Sequence, residues 1–308
     1  MKKTKGIPGH GAFTAERLAR ALLLTCAVVA IFAVCAITFY LFAKGLPALH
    51  RVGIGELLLG HVWKPTAAEP RFGIAYIILS SIVGTAMSVL LGVPIGLLTA
   101  VFLTEVSGKR LSATVQPAVE LLAAIPSVIY GLLGMMLLNP VLYKLEKSIF
   151  AGSATHQYTG GADLLAAVIV LAIMILPTVI SVSASAIRAV PGSLRAASLA
   201  LGASKMQTIR RVTVPAAKSG ILTGVVLGIG RALGEAMAIN MVAGGAVNLP
   251  LPFNSVRFLT TQLVSEMGYA EGIHRQVLLT VGLVLYMFIM IVNLVLQRLR
   301  REGGKDHG

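Results

Sequence analysis

Charge is scarce in this chain. Only 12% of its 308 residues are Asp, Glu, Lys or Arg, against roughly 25% in a typical soluble domain. Acids are scarcer still, 12 against 26 basic residues. The shortage excludes water as the solvent for much of the surface and points to lipid. The net charge of +14 does not indicate nucleic acid, because the basic residues sit between long uncharged stretches and not on one polar domain. Cysteine is almost absent. Cys26 and Cys35 lie in one apolar run, and nine helical residues separate them by about 13 Å, too far for a disulfide. They read as packing residues. No G-x-x-x-x-G-K-[ST] phosphate loop is present, so any ATP is hydrolysed by another chain. Internal repeats and low-complexity tracts are also lacking, and no catalytic or metal-ligating set stands out.

What the chain has is apolar length. A helix needs about 20 apolar residues to cross the hydrocarbon core. Six stretches meet or approach that: 21–42, one within 72–104, about 117–142, 164 to about 182, about 219–242, and 277–296. The expected architecture is an all-α membrane protein of about six transmembrane helices. The first stretch follows Lys2, Lys3, Lys5, Arg17 and Arg20, as a signal peptide would. Its apolar core exceeds the 7–15 residues typical of such peptides, so a retained helix is expected. The chain divides into a basic tail, 1–20; a first span and external loop, 21–71; a core, 72–296; and a basic tail, 297–308. With both ends cytoplasmic, cytoplasmic segments hold 17 of the 26 Lys and Arg, external segments hold eight, and Arg231 is intramembrane. That excess follows the positive-inside rule.

The bias is sharpest in the loop 183–218, which carries Arg188, Arg195, Lys205, Arg210, Arg211 and Lys218 and no acid. Leu194 to Ala200 is rich in helix formers. Gly202 permits a sharp turn, Ser204 can cap a second short helix over 205–212, and Pro215 is expected to end it. Two short helices at an angle, with small residues at the bend, can dock in a partner's groove, and their charge suits an acidic rim. A basic re-entry loop that only fixes topology fits the same residues.

Arg231 and Glu235 interrupt the fifth stretch, in GIGRALGEAMAI. Four residues apart, they are expected to share one helix face. Charge inside a membrane is costly, and usually faces the bundle interior or a water-filled path. Arg presents a planar fork of donors to phosphate, and Glu235 is positioned to hold that fork. The alternative is an ion pair that glues two helices. Gly224 with Gly228, and Gly230 with Gly234, make small-x-x-x-small faces for close packing. In the third stretch, AAIPSVIYGLLG, Pro126 should kink the helix and Ser127 re-satisfy a freed carbonyl. Pro94 and Pro177 should kink the second and fourth. Tyr130 fits either packing or a pore lining.

Here the chain resembles a known family. Ala196, Ala197, Ser198 and Gly202, followed by Val214 and Pro215, look like the EAA loop of ABC importer permeases. Ala196 stands where that family usually has Glu, while Ala203 follows the Gly in the same bend. Together with IPSVIYG and GIGRALGEAMAINMVAGG, this loop resembles phosphate permeases of the PstC type over roughly residues 72–296. The resemblance implies a type I importer (MetI-like) fold in a cell inner membrane. It implies a substrate path at Arg231 and Glu235 and an ATPase-coupling loop around Gly202. The implied partners are a second, PstA-type permease, ATP-binding subunits carrying ATP and magnesium, and an external phosphate-binding protein. Three rivals stay open: a permease for sulfate or molybdate, a channel or carrier that needs no ATPase, and a membrane anchor.

Overall fold

A computed structural model describes the backbone of residues 10–305 and the side chains of residues 16–298. Lys2, Lys3 and Lys5 lie outside the described residues, as do the last three residues. The chain is helical nearly throughout. Among the described residues, five helices are long and apolar enough to cross a membrane, and the count is six if the bent pair Lys205–Ala216 and Lys218–Gly234 is taken as one span.

The first helix, α1, runs from His10 to Val52, well past the apolar stretch at both ends. Most of its large side chains are exposed, Leu23, Phe32 and Phe39 among them, as a lipid-facing helix requires. Cys26 and Cys35 are free on this surface. Its last turns pack on the final helix, α14 (Gly272–Lys305). Gly45 permits that approach, since a Cβ there would lie 3.2 Å from the Leu279 carbonyl oxygen. Thr280 Oγ1 donates to the Gly45 carbonyl at 2.8 Å. Between α1 and the second span lie α2 (Ile54–Leu59) and a two-stranded hairpin. Its strands, β1 (Trp63–Lys64) and β2 (Arg71–Phe72), are antiparallel, with Trp63 opposite Phe72 and Lys64 opposite Arg71.

The core forms where α3 (Ala75–Val101), α7 (Leu164–Arg188) and α11 (Lys218–Gly234) pack together. Lipid offers no hydrophobic drive between helices, so contact depends on close fit and interhelical hydrogen bonds. Glycine provides the fit. A Cβ at Gly92 or Gly96 would press within 2.7 or 2.8 Å of Ile175 and Val179 on α7. On α11, Gly224 and Gly228 meet Val182 and Val179 of α7, while Gly230 and Gly234 face open space. Ser88 adds a bond across the seam, donating to the Val168 carbonyl at 3.1 Å. α7 runs unbroken through Pro177, which is buried in that seam. α3 likewise runs through Pro94, then widens into a π-turn over Phe102–Val106.

The third span differs from the sequence expectation. Residues 117–124 do not belong to it. They close an amphipathic helix, α4 (Lys109–Ala124), and the chain then turns extended at Ile125 and Pro126. The span proper is α5 (Ser127–Leu133), a π-turn (Gly134–Leu138) and α6 (Asn139–Ile149). Pro126 thus separates two helices where a kink within one was expected. Extended backbone before a proline is the sterically easy choice, and Pro126 at the head of α5 needs no N–H donor. No hydrogen bond from Ser127 is present among the described residues. Tyr130 bridges the break instead, its hydroxyl donating to the Leu122 carbonyl at 2.8 Å.

Candidate functional site

Two places interrupt the regular helices, and both carry the residues singled out by sequence. The first is the fifth span. α11 ends at Gly234, Glu235 is extended (ψ 130°), and a short helix, α12 (Met237–Val242), follows. Arg231 lies in the last turn of α11, half-buried. The expected shared face of Arg231 and Glu235 is lost, because the helix stops between them. No ion pair joins them among the described residues. Glu235 has other work. Its Oε1 accepts from the Ala238 N–H at 3.0 Å, capping the first turn of α12, where a carboxylate also meets the positive end of the helix dipole. Its backbone carbonyl accepts from Thr260 Oγ1 at 2.7 Å. Thr260 sits at the start of α13 (Leu259–Glu266), and further along that helix Ser265 donates to Asn240 of α12 at 2.8 Å. α13 therefore props the break open.

This geometry leaves Arg231 with no hydrogen-bond partner among the described residues, at the end of one half-helix and next to the start of another. Broken helices at membrane depth are tolerated where they line a cavity or are buried in protein, and half-helix ends supply polar groups to substrates in membrane carriers.

The second place is the basic loop. α8 (Gly192–Ala200) ends at Gly202, whose φ of +83° is a conformation glycine adopts without strain. Ser204 caps the next helix, α9 (Lys205–Thr208), in a reciprocal box with Gln207. The Gln207 N–H donates to Ser204 Oγ at 3.3 Å, and the Ser204 N–H to Gln207 Oε1 at 2.8 Å. The hydroxyls of Ser198 and Thr208, 2.9 Å apart, tie α8 to α9. The second helix outlasts expectation. It widens into a π-turn over Ile209–Thr213 and continues as α10 (Val214–Ala216), so Pro215 lies inside the run. A proline ring crowds the carbonyl four residues back, and the wider turn relieves that crowding. The chain bends only at Ala217, by 68°, into α11.

Ala196, Ala197 and Gly202 are exposed, and Ser198, Ala203, Val214 and Pro215 are half-buried. Leu201 at the tip is 89% exposed. One contact escaped the sequence reading. Arg195 pairs with Glu105, in the π-turn that ends α3, at 2.9 Å, and donates to the Ile187 carbonyl at 2.7 Å. The pair spans 90 residues of sequence, and no local pattern announces it.

A helical bundle with a broken fifth span and an exposed basic elbow between spans fits a membrane permease subunit of an ABC importer, and such subunits are not themselves enzymes. The chain belongs to the family of binding-protein-dependent transport system inner membrane components, which it matches over residues 92–302. It is a multi-pass inner-membrane protein. It is 39% identical to the probable ABC transporter permease protein YqgH of Bacillus subtilis, over 91% of this chain and 90% of that protein. It is 31% identical to the phosphate transport system permease protein PstC of Haemophilus influenzae, over 82% and 84% of the two chains. A probable PstC of Methanocaldococcus jannaschii is 30% identical over 87% and 88%. The fold matches a chain of a bacterial alginate ABC transporter with a TM-score of 0.64 at 18% identity, covering 93% of this chain and 96% of that one. It matches the inward-facing MetNI methionine transporter with a TM-score of 0.51 at 21% identity, covering 75% and 94%.

Proposed function

We propose that this chain is the PstC-type permease subunit of an ATP-driven importer of inorganic phosphate. It forms half of the translocation path beside a second, PstA-type permease. It docks an ATP-binding subunit through the elbow around Gly202, and ATP and magnesium are held by that partner. An external phosphate-binding protein delivers the cargo, and both termini of the chain are cytoplasmic. The names of the PstC relatives support the cargo.

The observation that carries the reading is Arg231 at the break of the fifth span, with no partner among the described residues. An anion entering the path finds there a planar fork of donors that no carboxylate has claimed. Glu235 is turned to the α12 cap and does not compete for the guanidinium. ATP-driven movement of the elbow passes through the 68° bend at Ala217 into α11, the helix whose end carries Arg231. Alternating access follows when that helix tilts.

The test is Arg231→Gln in the assembled complex. Phosphate uptake should fall by at least about 100-fold, as loss of a charged contact worth roughly 3 kcal/mol requires, while the subunits still co-purify. Normal uptake in that variant would remove Arg231 from the path.

A further inference from the structure

A space with charged residues in its walls lies beyond α12, on the side that the proposed orientation makes external. It measures about 550 Å³ and lies between the β1–β2 hairpin and the chain leaving α12, with Lys64, Thr66, Gly245, Arg257 and Glu266 in its walls.

Its charges are unusual. Lys64 and Arg71 stand directly opposite each other across the hairpin. Cross-strand partners share a face, and like charges so placed destabilise the pairing. Neither forms an ion pair among the described residues, and Glu69, in the turn between them, pairs with neither. Arg257 is the second cation in the walls, and it is held in place. Its Nε donates to the Gly245 carbonyl at 2.6 Å, and its Nη1 donates to Gln262 at 3.0 Å and to Glu266 at 2.5 Å. Its Nη2 has no partner among the described residues. Glu266 is the one acid among the residues lining the space, and it is fully engaged. It is 4% exposed and accepts from Trp63 Nε1 at 3.0 Å and from Arg257, with His274 Nε2 at 2.8 Å. Two cations, Lys64 and Arg257, thus meet one occupied carboxylate in the walls of the space, and Arg71 lies across the hairpin from Lys64.

We infer that this vestibule holds a tetrahedral oxyanion on its way to Arg231, gripped by Lys64 and the open edge of the Arg257 guanidinium. The inference rests on the proposed reading of the chain as an oxyanion permease. Lys64 draws the anion in, Arg71 opposite it on the hairpin adds to the field, and the fixed fork of Arg257 orients the anion. The intervening helix α12 has six residues, about 9 Å of rise. Two successive stations let an anion bind favourably yet weakly at each, which conduction requires.

Thr66, exposed in the vestibule wall, offers a reporter. The full complex is assembled in nanodiscs with Cys26→Ala, Cys35→Ala and Thr66→Cys. A small thiol reagent is applied in neutral and anionic forms, with ionic strength held constant by chloride. The anionic form should react about fivefold faster than the neutral one, each relative to its rate with a free thiol, because a basic cleft concentrates anions. Inorganic phosphate should slow the labelling severalfold. Lys64→Gln with Arg71→Gln should abolish both effects. Arg257→Lys, which keeps the charge and loses the fork, should keep the rate preference and weaken the protection. Equal rates for the two reagents, or no slowing by phosphate, would overturn the inference. So would protection by cargo-free binding protein with none by phosphate, which would assign the cations to a docking surface. Uptake on the same samples separates the two readings. Phosphate uptake without protection removes the vestibule alone. Sulfate uptake with protection by sulfate keeps the vestibule and removes phosphate as the cargo.

Discussion

Asp163 caps the head of α7, its Oδ1 accepting from the Ala166 N–H at 2.9 Å. The residue is fully buried, and its second oxygen has no partner among the described residues. Burial raises its pKa from the ordinary 3.8 to about 6, the Ala166 N–H opposes that rise, and the nearby Glu146 adds to it. The folded state therefore binds this proton more tightly than the unfolded chain. Asp163 favours folding at low pH, and that contribution is lost as pH rises from about 4 through 6. Asp163→Asn keeps the capping oxygen and removes the titration. Thermal unfolding in detergent should then lose up to about 3 kcal/mol of pH-dependent stability across that window. An unchanged pH slope would show that Asp163 does not carry it. Arg231 was legible at this scale, since a charge in a long apolar run announces itself. The work of Glu235 was not, because its partners are set by a helix end and by Thr260, 25 residues away.

Among elements, the spans were legible wherever charge was absent over a membrane's thickness. Their interruptions were harder to read. Residues 117–124 are apolar enough to prolong the third span, yet α4 is amphipathic and ends at the extended pair Ile125–Pro126. The fifth span breaks within GEAMA, a run dominated by helix formers, because α13 holds the broken geometry through Thr260 and Ser265. Pro215 failed to stop its helix because a π-turn absorbs the ring. The elbow, by contrast, was readable from Gly202, Ser204 and the basic charge. Gly202 has φ +83° and open space around its Cβ position. Gly202→Asp should cost about 1 kcal/mol in local strain and place an acid at the proposed docking tip. Membrane insertion should be intact, and the ATP-binding subunit should be lost on purification. Co-purification at normal yield would rule out docking through this bend.

Across the whole molecule, the distribution of charge organises the proposed function. Cations crowd the elbow, one stands at the break of the fifth span, and two line the vestibule beyond α12. Each group lies where the apolar bundle is interrupted. That arrangement suits a conduit for anions, and the conduit needs a partner to hydrolyse ATP. The most direct measurement is uptake of labelled phosphate against labelled sulfate into proteoliposomes. One set carries the complete complex with its binding protein and internal ATP, and the other carries this chain alone. ATP-dependent uptake selective for phosphate, seen only with the complete complex, is the predicted result. Uptake by the chain alone, or a preference for sulfate, would contradict it.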